Sequence, residues 1–309
     1  MVVLVVGESL VDVVVPASGD PADVVRRPGG SPMNVAVGLA RLEVPTRLVT
    51  RLGDDPDGRL VRDHLAASHV ALAEGAVDPA TTTGVATAHL DADGVATYDF
   101  AVAWDLPPTL LPDDCRALHV GSIGAGVRPG RDAVVALAAD AHRVGLPVSF
   151  DPNARPAFTP DPEVAWRDVL ELASLCDLVK LSDEDAAFFQ PGREVVDVAH
   201  AVLERGPALV VVTGGGGVAT AVSRTGVVLV AESRKVEVAD TVGAGDSFMA
   251  ALVAATLPDR AAGAWDEGPT HSHVAEYLSA AHAAAAVTVT RRGADPPRLA
   301  ELPPGWPRV

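Results

Sequence analysis

Short apolar runs alternate with helical stretches along almost the whole chain. The first run, VVLVV at 2–6, is continuously apolar, as expected of a strand that is buried on both faces. Five later runs share its character and lie at 47–50, 117–122, 147–151, 177–181 and 208–213. Helical stretches lie between them, at 31–42, 55–67, 131–144, 163–174, 183–189 and 194–205. This alternation predicts an α/β fold with a mainly parallel sheet and helices on both of its faces.

Two segments break this rhythm. Residues 83–100 alternate partially around D-A-D-G at 91–94, which favours a hairpin turn, and residues 10–16 have a similar character. Such segments fit poorly into a parallel sheet. We therefore expect a small antiparallel β lid, formed from about 10–16 and 83–104, on a single α/β domain that spans 1–309. The proline-rich end, PPGWPRV, predicts a loosely held tail.

Composition and charge exclude several classes of function. The chain has 309 residues, of which 48% are hydrophobic, and its formal net charge is −17. A negative charge of this size argues against nucleic acid or an anionic membrane as a partner, because both would repel the protein. Only Lys180 and Lys235 are lysines, and neither lies in a P-loop or a protein-kinase motif.

Cysteine usage and hydropathy predict where the protein works. Cys115 and Cys176 have neither C-x-x-C spacing nor a His-rich partner segment, so a zinc site or a disulfide framework is not expected. The N-terminal MVVLVV is too short for a signal peptide and lacks a basic start. No segment has the pattern of a transmembrane helix. These features predict a cytoplasmic protein.

One short motif carries the most chemical information: D-T-V-G-A-G-D at 240–246, followed by an unbroken helical stretch. The N-terminus of that helix would be formed by Gly243, Ala244 and Gly245. Free N–H groups and the helix dipole hold an anion at such a position. Asp246 would lie in the first turn, where its carboxylate suits a general base for a hydroxyl that attacks a phosphoryl group. A simple glycine-rich loop with a capping aspartate is the plainer interpretation.

Three further stretches complete a family pattern. G-G-S-P-M-N-V-A, continued by L-A-R-L within 29–42, resembles the N-terminal signature of the ribokinase-like (PfkB) carbohydrate kinases. T-G-G-G-G at 213–217 resembles their nucleotide loop, 283–294 resembles their closing helix and turn, and the D-T-V-G-A-G-D motif resembles their C-terminal signature. The resemblance implies a three-layer sandwich and ATP-dependent transfer of a phosphoryl group to a sugar hydroxyl. Asp246 would be the base, and 243–246 would stabilise the phosphates.

The resemblance also implies which residues bind the sugar. D-P-N-A-R-P at 151–156 looks like the D-x-N-x-R-P of fructokinases and 2-keto-3-deoxygluconate kinases. Five residues are implied to contact the sugar: Asp12, Gly30, Asn34, Phe100 and Arg155. The plainer interpretation of Asp12 is a solvated strand residue, and Gly30 and Asn34 would simply cap a helix. Phe100 would pack in the core of the lid, and Arg155 would lie at the protein surface. Tyr98 shares a face of the lid with Phe100, and that face could close over the sugar or contact a second copy.

The nucleotide and metal sites are implied in the same way. Four residues are implied to contact ATP: Ser182, Thr213, Gly215 and His282. The family pattern N-x-x-E, whose glutamate acts on Mg²⁺ largely through water, falls on Ser182 and Asp185 here. The same two residues equally fit a capping box for the following helix. In the loop pattern T-x-G-x-x-G, the last glycine falls on Val218 unless the loop slips to Gly217.

We therefore expect an ATP-dependent sugar kinase that uses Mg²⁺ and, near Asp240 and the 291–294 turn, K⁺. Fructose is the expected acceptor, since no second basic residue is evident beside Arg155 to bind a sugar acid. The alternatives are 2-keto-3-deoxygluconate kinase, ribokinase or nucleoside kinase, and, from another class, a sugar-binding regulator without catalysis. A dinucleotide-dependent oxidoreductase fits poorly, because the first strand is not followed by G-x-G-x-x-G. The expected partners are the sugar and ATP, with a homodimer through the lid as a further candidate.

Overall fold

The computed structural model describes residues 1–91, 95–263 and 265–306. The strands are β1 (Val2–Val6), β2 (Leu10–Val15), β3 (Val25–Gly29), β4 (Thr46–Val49), β5 (Ala71–Leu72), β6 (Gly84–Leu90), β7 (Ala96–Ala101), β8 (Cys115–Gly121), β9 (Val148–Asp151), β10 (Leu178–Ser182), β11 (Leu209–Gly214), β12 (Val218–Ser223) and β13 (Val228–Glu232). The helices are α1 (Ser31–Arg41), α2 (Pro56–Ala67), α3 (Ser122–Gly126), α4 (Gly130–Arg143), α5 (Pro162–Ala173), α6 (Asp183–Phe189), α7 (Val195–Leu203), α8 (Ala244–Ala261) and α9 (His271–Thr288). Each strand and helix expected from the alternation is present.

The central sheet has nine strands in the order β13-β12-β11-β10-β9-β8-β1-β4-β5. All pairings from β11 to β5 are parallel, whereas β12 and β13 extend one edge with antiparallel pairings. The alternation of strands and helices produces this arrangement, because a parallel connection has to cross over the sheet. The expected mainly parallel α/β sheet is therefore confirmed.

Strand β1 shows why the sheet has a core on each face. Val3 and Val5 pack in a cluster with α1, α2, α8 and α9, whereas Leu4 and Val6 pack in a second cluster with α4, α5 and α7. Side chains alternate between the two faces of a strand, so a strand that is covered by helices on both faces has to be apolar throughout. Each such buried side chain contributes about 1.5–3 kcal/mol of hydrophobic stabilisation.

The lid is a second sheet of four strands in the order β3-β2-β6-β7. It is antiparallel at β2–β3 and β6–β7 and parallel at β2–β6. Strand β3 was not expected, because its sequence VRRPG shows no apolar alternation. It is an edge strand, which is where a sheet tolerates a proline such as Pro28. Of the turn expected at 91–94, residues 92–94 lie outside the described residues.

The C-terminal segment is packed against the body of the protein as far as Trp306. The indole N–H of Trp306 donates to Ala280 O at 3.1 Å, and the side chain is 7% exposed. The expectation of a loosely held tail is therefore wrong for 303–306, because burying a tryptophan offsets the cost of ordering the segment. Within the described part of the chain, no helix is long and apolar enough to cross a membrane.

Candidate functional site

The carboxyl ends of the parallel strands meet along one edge of the central sheet. Five residues lie at or just after these ends, on β1, β8, β9, β10 and β11: Glu8, Ser122, Asp151, Ser182 and Gly214. Strand β2 follows β1 after only three residues, 7–9, so the lid starts directly from this edge. Ligands of open α/β sheets bind in the crevice outside the carboxyl ends of the strands. The cleft between the sheet edge and the lid is therefore the candidate site.

The first turns of α1 and α8 meet in this cleft. Ser31 Oγ donates a hydrogen bond to Asp246 Oδ1 at 2.6 Å, and Asn34 Nδ2 donates to Asp246 Oδ2 at 2.8 Å. The Asp246 residue is 9% exposed. The expected base and one expected sugar-binding residue are therefore in direct contact. Ser31 was not among the expected site residues. Gly30 occupies the cap position of α1, which leaves the Ser31 hydroxyl free to hold the base.

Two glycines allow these turns to approach their surroundings. Gly30 has φ of +109°, and a β-carbon there would lie 2.6 Å from Glu8 O. Gly243, just before α8, has φ of +76°, and its β-carbon would lie 2.6 Å from Ala294 Cβ. Left-handed backbone and close contact together favour glycine at both positions. The first-turn amides of α8 have no acceptor inside the helix and so suit an anion, although Ala244 N–H already donates to Thr241 O at 3.2 Å.

Asp240 joins the loop before α8 to the 291–294 turn. Its Oδ2 accepts from Gly293 N–H at 2.8 Å and its Oδ1 accepts from Val242 N–H at 3.0 Å. These hydrogen bonds, led by the one from Gly293, hold the pKa of Asp240 below its usual value, and the charge of Arg27 adds to the effect. The carboxylate is therefore anionic at neutral pH and lies between the two segments where a monovalent cation is expected.

A buried ion pair that sequence reasoning missed lies against the first turn of α8. Lys180 Nζ donates to Asp151 Oδ2 at 2.9 Å, and the two residues are 4% and 1% exposed. Asp151 Oδ1 is also buried and has no hydrogen-bond partner among the described residues. The signal was present in the sequence, because Lys180 is one of only two lysines and lies within an otherwise apolar strand.

For both members of this pair, burial and the partner's charge shift the pKa in opposite directions. Burial raises the pKa of Asp151 to about 6, although the adjacent Lys180 ammonium lowers it. Burial lowers the pKa of Lys180, but the charges of Asp151 and Asp185 outweigh burial and the net direction is upward. Lys180 therefore remains a cation inside the protein. His119, which lies within reach of that charge, has its pKa lowered to about 3, chiefly by burial.

Residues 182–185 form the capping box that the sequence left as an alternative. Ser182 Oγ accepts from Asp185 N–H at 2.9 Å, and Asp185 Oδ2 accepts from Ser182 N–H at 2.9 Å. Asp185 Oδ1 also accepts from Ala154 N–H at 2.7 Å, so this carboxylate joins α6 to the loop after β9. Both oxygens of Asp185 hold backbone N–H groups. Asp185 can therefore contact a metal ion only through a bridging water or through the lone pairs that these hydrogen bonds leave unused.

The residues expected to bind the sugar lie where the lid meets the body. Asp12, on β2, lies against the backbone of Gly29. Burial raises the pKa of Asp12, the charge of Arg155 lowers it, and the charge of Asp246 raises it, so these groups interact electrostatically. Arg155 is exposed, and its Nη1 donates to Asn153 Oδ1 at 2.7 Å. The structure thus places Asp12 within electrostatic range of both Arg155 and the expected base, Asp246.

Phe100 connects the lid to the loop that carries Arg155. Its ring meets Phe158 edge-to-face with ring centroids 5.0 Å apart, and Tyr98 stacks on it at 6.1 Å. Phe158 N–H in turn donates to Arg155 O at 2.8 Å. Phe100 is 38% exposed and Tyr98 is 62% exposed. The lid aromatics therefore contribute both a contact across the cleft and a solvent-facing surface.

A cavity of about 470 Å³ lies between the 213–217 loop, the segment before α8 and helix α9. Its lining includes three of the four residues expected to contact ATP, namely Thr213, Gly215 and His282. Ser182 is not part of this lining. Burial lowers the pKa of His282, and its Nε2 has no hydrogen-bond partner in the described part of the chain.

The nucleotide loop departs from the expected spacing by one residue. Val218 is the first residue of β12 and pairs with Gly214 and Glu232. Gly216 and Gly217 instead take the left-handed conformation, with φ of +74° and +80°. The last glycine of the loop is therefore Gly217. Val218 has the extended backbone of β12 and cannot adopt the left-handed conformation that the turn requires.

Glu8 is a buried carboxyl group just after the end of β1. It is 3% exposed, and its Oε2 accepts from Gly124 N–H, in α3, at 2.8 Å. Burial raises the pKa of Glu8 to about 7, although hydrogen bonds from Gly124 and Ser122 and the charge of Arg155 lower it. Glu8 therefore loses its proton near neutral pH. Its carboxyl group interacts with Arg155, one of the residues expected to bind the sugar.

Replacing Glu8 by glutamine should remove a pH-dependent cost of folding. The folded protein holds the Glu8 proton up to about pH 7, whereas the unfolded chain loses it near pH 4.5, so wild-type stability falls as pH rises between these values. Glu8→Gln keeps an acceptor for Gly124 N–H. Urea unfolding should therefore show similar stabilities at pH 4.5 and a variant about 2–4 kcal/mol more stable at pH 8. A difference that does not vary with pH, or the same gain in the exposed control Glu276→Gln, would contradict this.

The chain matches known carbohydrate kinases over nearly its whole length. The family described as pfkB family carbohydrate kinase matches residues 2–300. A fructokinase of Klebsiella pneumoniae is 34% identical over 302 residues, which are 94% of each chain. The expected family is therefore confirmed.

Solved structures of sugar kinases have the same fold. The fructokinase with bound ATP from Xylella fastidiosa matches with a TM-score of 0.83 and 25% identity, over 98% of this chain and 95% of that chain. A fructokinase double mutant from Vibrio cholerae O395, in a form with bound fructose, ADP and potassium ion, matches with a TM-score of 0.75 and 27% identity, over 94% and 93%. The expected ribokinase-like sandwich with its lid is therefore confirmed.

Proposed function

Because the chain belongs to the pfkB family of carbohydrate kinases and is an ATP-dependent sugar kinase, we propose that fructose is the sugar it phosphorylates. The observation that carries this choice is Arg155, which completes D-P-N-A-R-P and interacts electrostatically with Asp12 across the cleft. An arginine that donates and an aspartate that accepts suit the hydroxyls of a neutral ketose. The names of the related fructokinases support the same choice.

In the proposed reaction, Asp246 takes the proton of the attacking hydroxyl. The hydroxyl oxygen bonds to the γ-phosphorus as the bond to the β,γ-bridging oxygen breaks, and ADP leaves. Ser31 and Asn34 orient the carboxylate before the sugar arrives. The N–H groups of Gly243, Gly245 and Asp246 would stabilise the charge on the phosphates, since they lie at the N-terminus of α8; that of Ala244 would join them on leaving Thr241 O.

We propose that the sugar lies between the lid and the sheet edge. Five residues would contact it: Asp12, Gly30, Asn34, Phe100 and Arg155. Asp12 and Asn34 would hold hydroxyls, and Gly30 would present its backbone to the ring. Phe100, which bridges the lid and the 155–158 loop, would exclude water from the closed site and so limit ATP hydrolysis.

For ATP we propose the cavity beside the 213–217 loop, with Thr213, Gly215 and His282 on its walls. Ser182 would contact the nucleotide from the neighbouring strand, where it pairs with Thr213. Mg²⁺ bound with ATP would neutralise the phosphates and orient the transferring group. Hard oxygen donors of the kind that such an ion prefers are available on Asp151, whose buried Oδ1 has no partner among the described residues, and on the Asp185 carboxylate. No group of three or more potential ligands forms a metal site among the described residues, so phosphates and water would complete the shell. Asp240 would hold the monovalent cation, with K⁺ as its occupant.

A substrate screen tests the proposed function. Purified protein would be assayed for ADP release with fructose, 2-keto-3-deoxygluconate, ribose and a nucleoside, in Mg²⁺ with and without K⁺. We expect fructose to give the highest kcat/KM and K⁺ to increase the rate. A kcat/KM at least tenfold higher for 2-keto-3-deoxygluconate would replace fructose by the sugar acid, and a preference for ribose or a nucleoside would remove Arg155 from the sugar site.

Arg155→Ala should report the class of substrate by the size of its effect. Loss of one hydrogen bond to a neutral sugar should lower kcat/KM by about 5- to 30-fold, whereas loss of a charge-assisted pair with a carboxylate should cost more than about 30-fold. We expect the smaller loss, with fructose and with the KM for ATP unchanged. Arg143→Ala, at an exposed position of α4, is the matched control. A change below twofold in the Arg155 variant would show that Arg155 does not contact the sugar.

The assembly and location of the protein stay predictions. We propose that a homodimer forms through the lid, because Val25, Val95 and Tyr98 leave apolar surface exposed there. We also propose a cytoplasmic location, on the basis of the cysteine usage.

A further inference from the structure

The buried ion pair of Lys180 and Asp151 is only partly satisfied. Lys180 donates one hydrogen bond, to Asp151 Oδ2, although an ammonium carries three donors. The other oxygen of Asp151 is buried without a partner among the described residues. Removing two charges from water costs more than a single hydrogen bond returns, so a pair of this kind is a weak source of stability. Its position therefore points to a functional role.

The Lys180 ammonium lies beside the first turn of α8. A β-carbon on Gly245 would lie 3.3 Å from Lys180 Nζ, so the ammonium occupies the space beside the second residue of the helix. Glycine at 245 leaves this space open. The ammonium thus lies beside the N-terminus that is proposed to hold the phosphates of ATP.

The charges of three carboxylates, Asp151, Asp185 and Asp246, act on this ammonium. Asp151 accepts its hydrogen bond at 2.9 Å, and Asp246 directly follows Gly245, beside which the ammonium lies. Without a cation, this group would repel the polyanionic nucleotide from the helix that has to bind it. The first-turn amides of α8 supply only about half of one positive charge.

Resting on the proposed kinase reaction, we propose that Lys180 is a positioning residue for phosphoryl transfer: its buried charge offsets the surrounding carboxylates, so that the phosphates of ATP can lie at the N-terminus of α8. Asp151 holds the ammonium in place. Lys180 acts through α8 and Asp246 and does not itself exchange a proton with the sugar.

Lys180→Met tests this with two readouts that a purely structural residue would not move. Calorimetry with ATP alone should show a Kd raised by about tenfold or more, while the KM for the sugar changes less than about threefold. The acidic limb of the kcat/KM profile should move to higher pH by about half a unit or more, because the remaining carboxylates protonate more readily without the cation. Lys180→Arg, which keeps the charge, should restore most of the ATP affinity.

Matched variants keep the test decisive. Arg143→Met removes one exposed positive charge and should leave both readouts unchanged. If Lys180→Met does not fold, Lys180→Gln takes its place, because the amide can still donate a hydrogen bond to Asp151 without carrying the charge; the same rise in the Kd for ATP is expected. A folded variant whose ATP affinity and acidic limb both match wild type would overturn the proposal. Wild-type protein that binds ATP but does not phosphorylate fructose would contradict the proposed substrate, and would leave the result for Lys180 intact.

Discussion

Replacing Asp246 by asparagine should lower kcat by about 10²- to 10⁴-fold, the range expected for a positioned general base. The amide cannot accept the proton of the sugar hydroxyl. It can still fill the space of the carboxylate, because its oxygen can accept from Asn34 Nδ2 and its NH₂ can donate to Ser31 Oγ. We therefore expect an unchanged fold and nearly unchanged affinities for ATP and sugar. Steady-state kinetics and calorimetry measure these quantities separately.

Two outcomes would contradict the role of Asp246. If Asp246→Asn retains more than a tenth of wild-type kcat, another group accepts the proton. If the KM values for ATP and sugar both rise together with a lower melting temperature, the loss comes from a disturbed contact between α1 and α8 and not from chemistry.

Gly243→Ala should have the second largest effect. The alanine would keep a φ of +76° and would place its β-carbon 2.6 Å from Ala294 Cβ and 2.7 Å from Ala294 Cα. Because backbone atoms lie on the other side of the contact, the loop before α8 has to move away from the 291–294 turn. We expect kcat/KM for ATP to fall by about 10²-fold, as for loss of an oxyanion donor, and the free energy of unfolding to fall by about 1–3 kcal/mol.

Gly226→Ala is the matched control for backbone strain. Gly226 has φ of +82°, yet a β-carbon there would meet no atom within 4 Å. The control should therefore lose stability by a similar strain and keep its activity. Equal kinetic losses in both variants would assign the effect to strain, and full activity in Gly243→Ala would remove this loop from the phosphate site.

The parts of the fold and site that were predictable from sequence depend on local pattern. An apolar run specifies the strand at 2–6, and a proline near its start specifies the helix after Gly30. Glycines specify the N-terminus of α8 at 243–246. Strand β3 depends on its partner β2 instead, since its own sequence VRRPG carries no strand pattern. An edge strand needs only one partner and little burial, so its sequence is weakly constrained.

Two features of the candidate site depend on contacts between distant segments. Ser31 and Asp246 are 215 residues apart, and nothing beside either residue indicates their hydrogen bond. Lys180 and Asp151 are 29 residues apart and meet because β9 and β10 are neighbours in the sheet. The capping box at 182–185 was predictable as an alternative because it is local, whereas the bond from Ala154 to Asp185 was not.

The path of the chain through the lid limits how the enzyme can be re-engineered. The chain enters the lid from β1 through residues 7–9 and leaves β3 for α1 through Gly30 alone. The residue after Gly30 is Ser31, which holds the proposed base. A lid transplanted from a related kinase to change sugar preference would therefore have to bring the first turn of α1 with it. Exchanges confined to β6 and β7, whose connections to the body are longer, leave that turn in place and are the safer route to altered specificity.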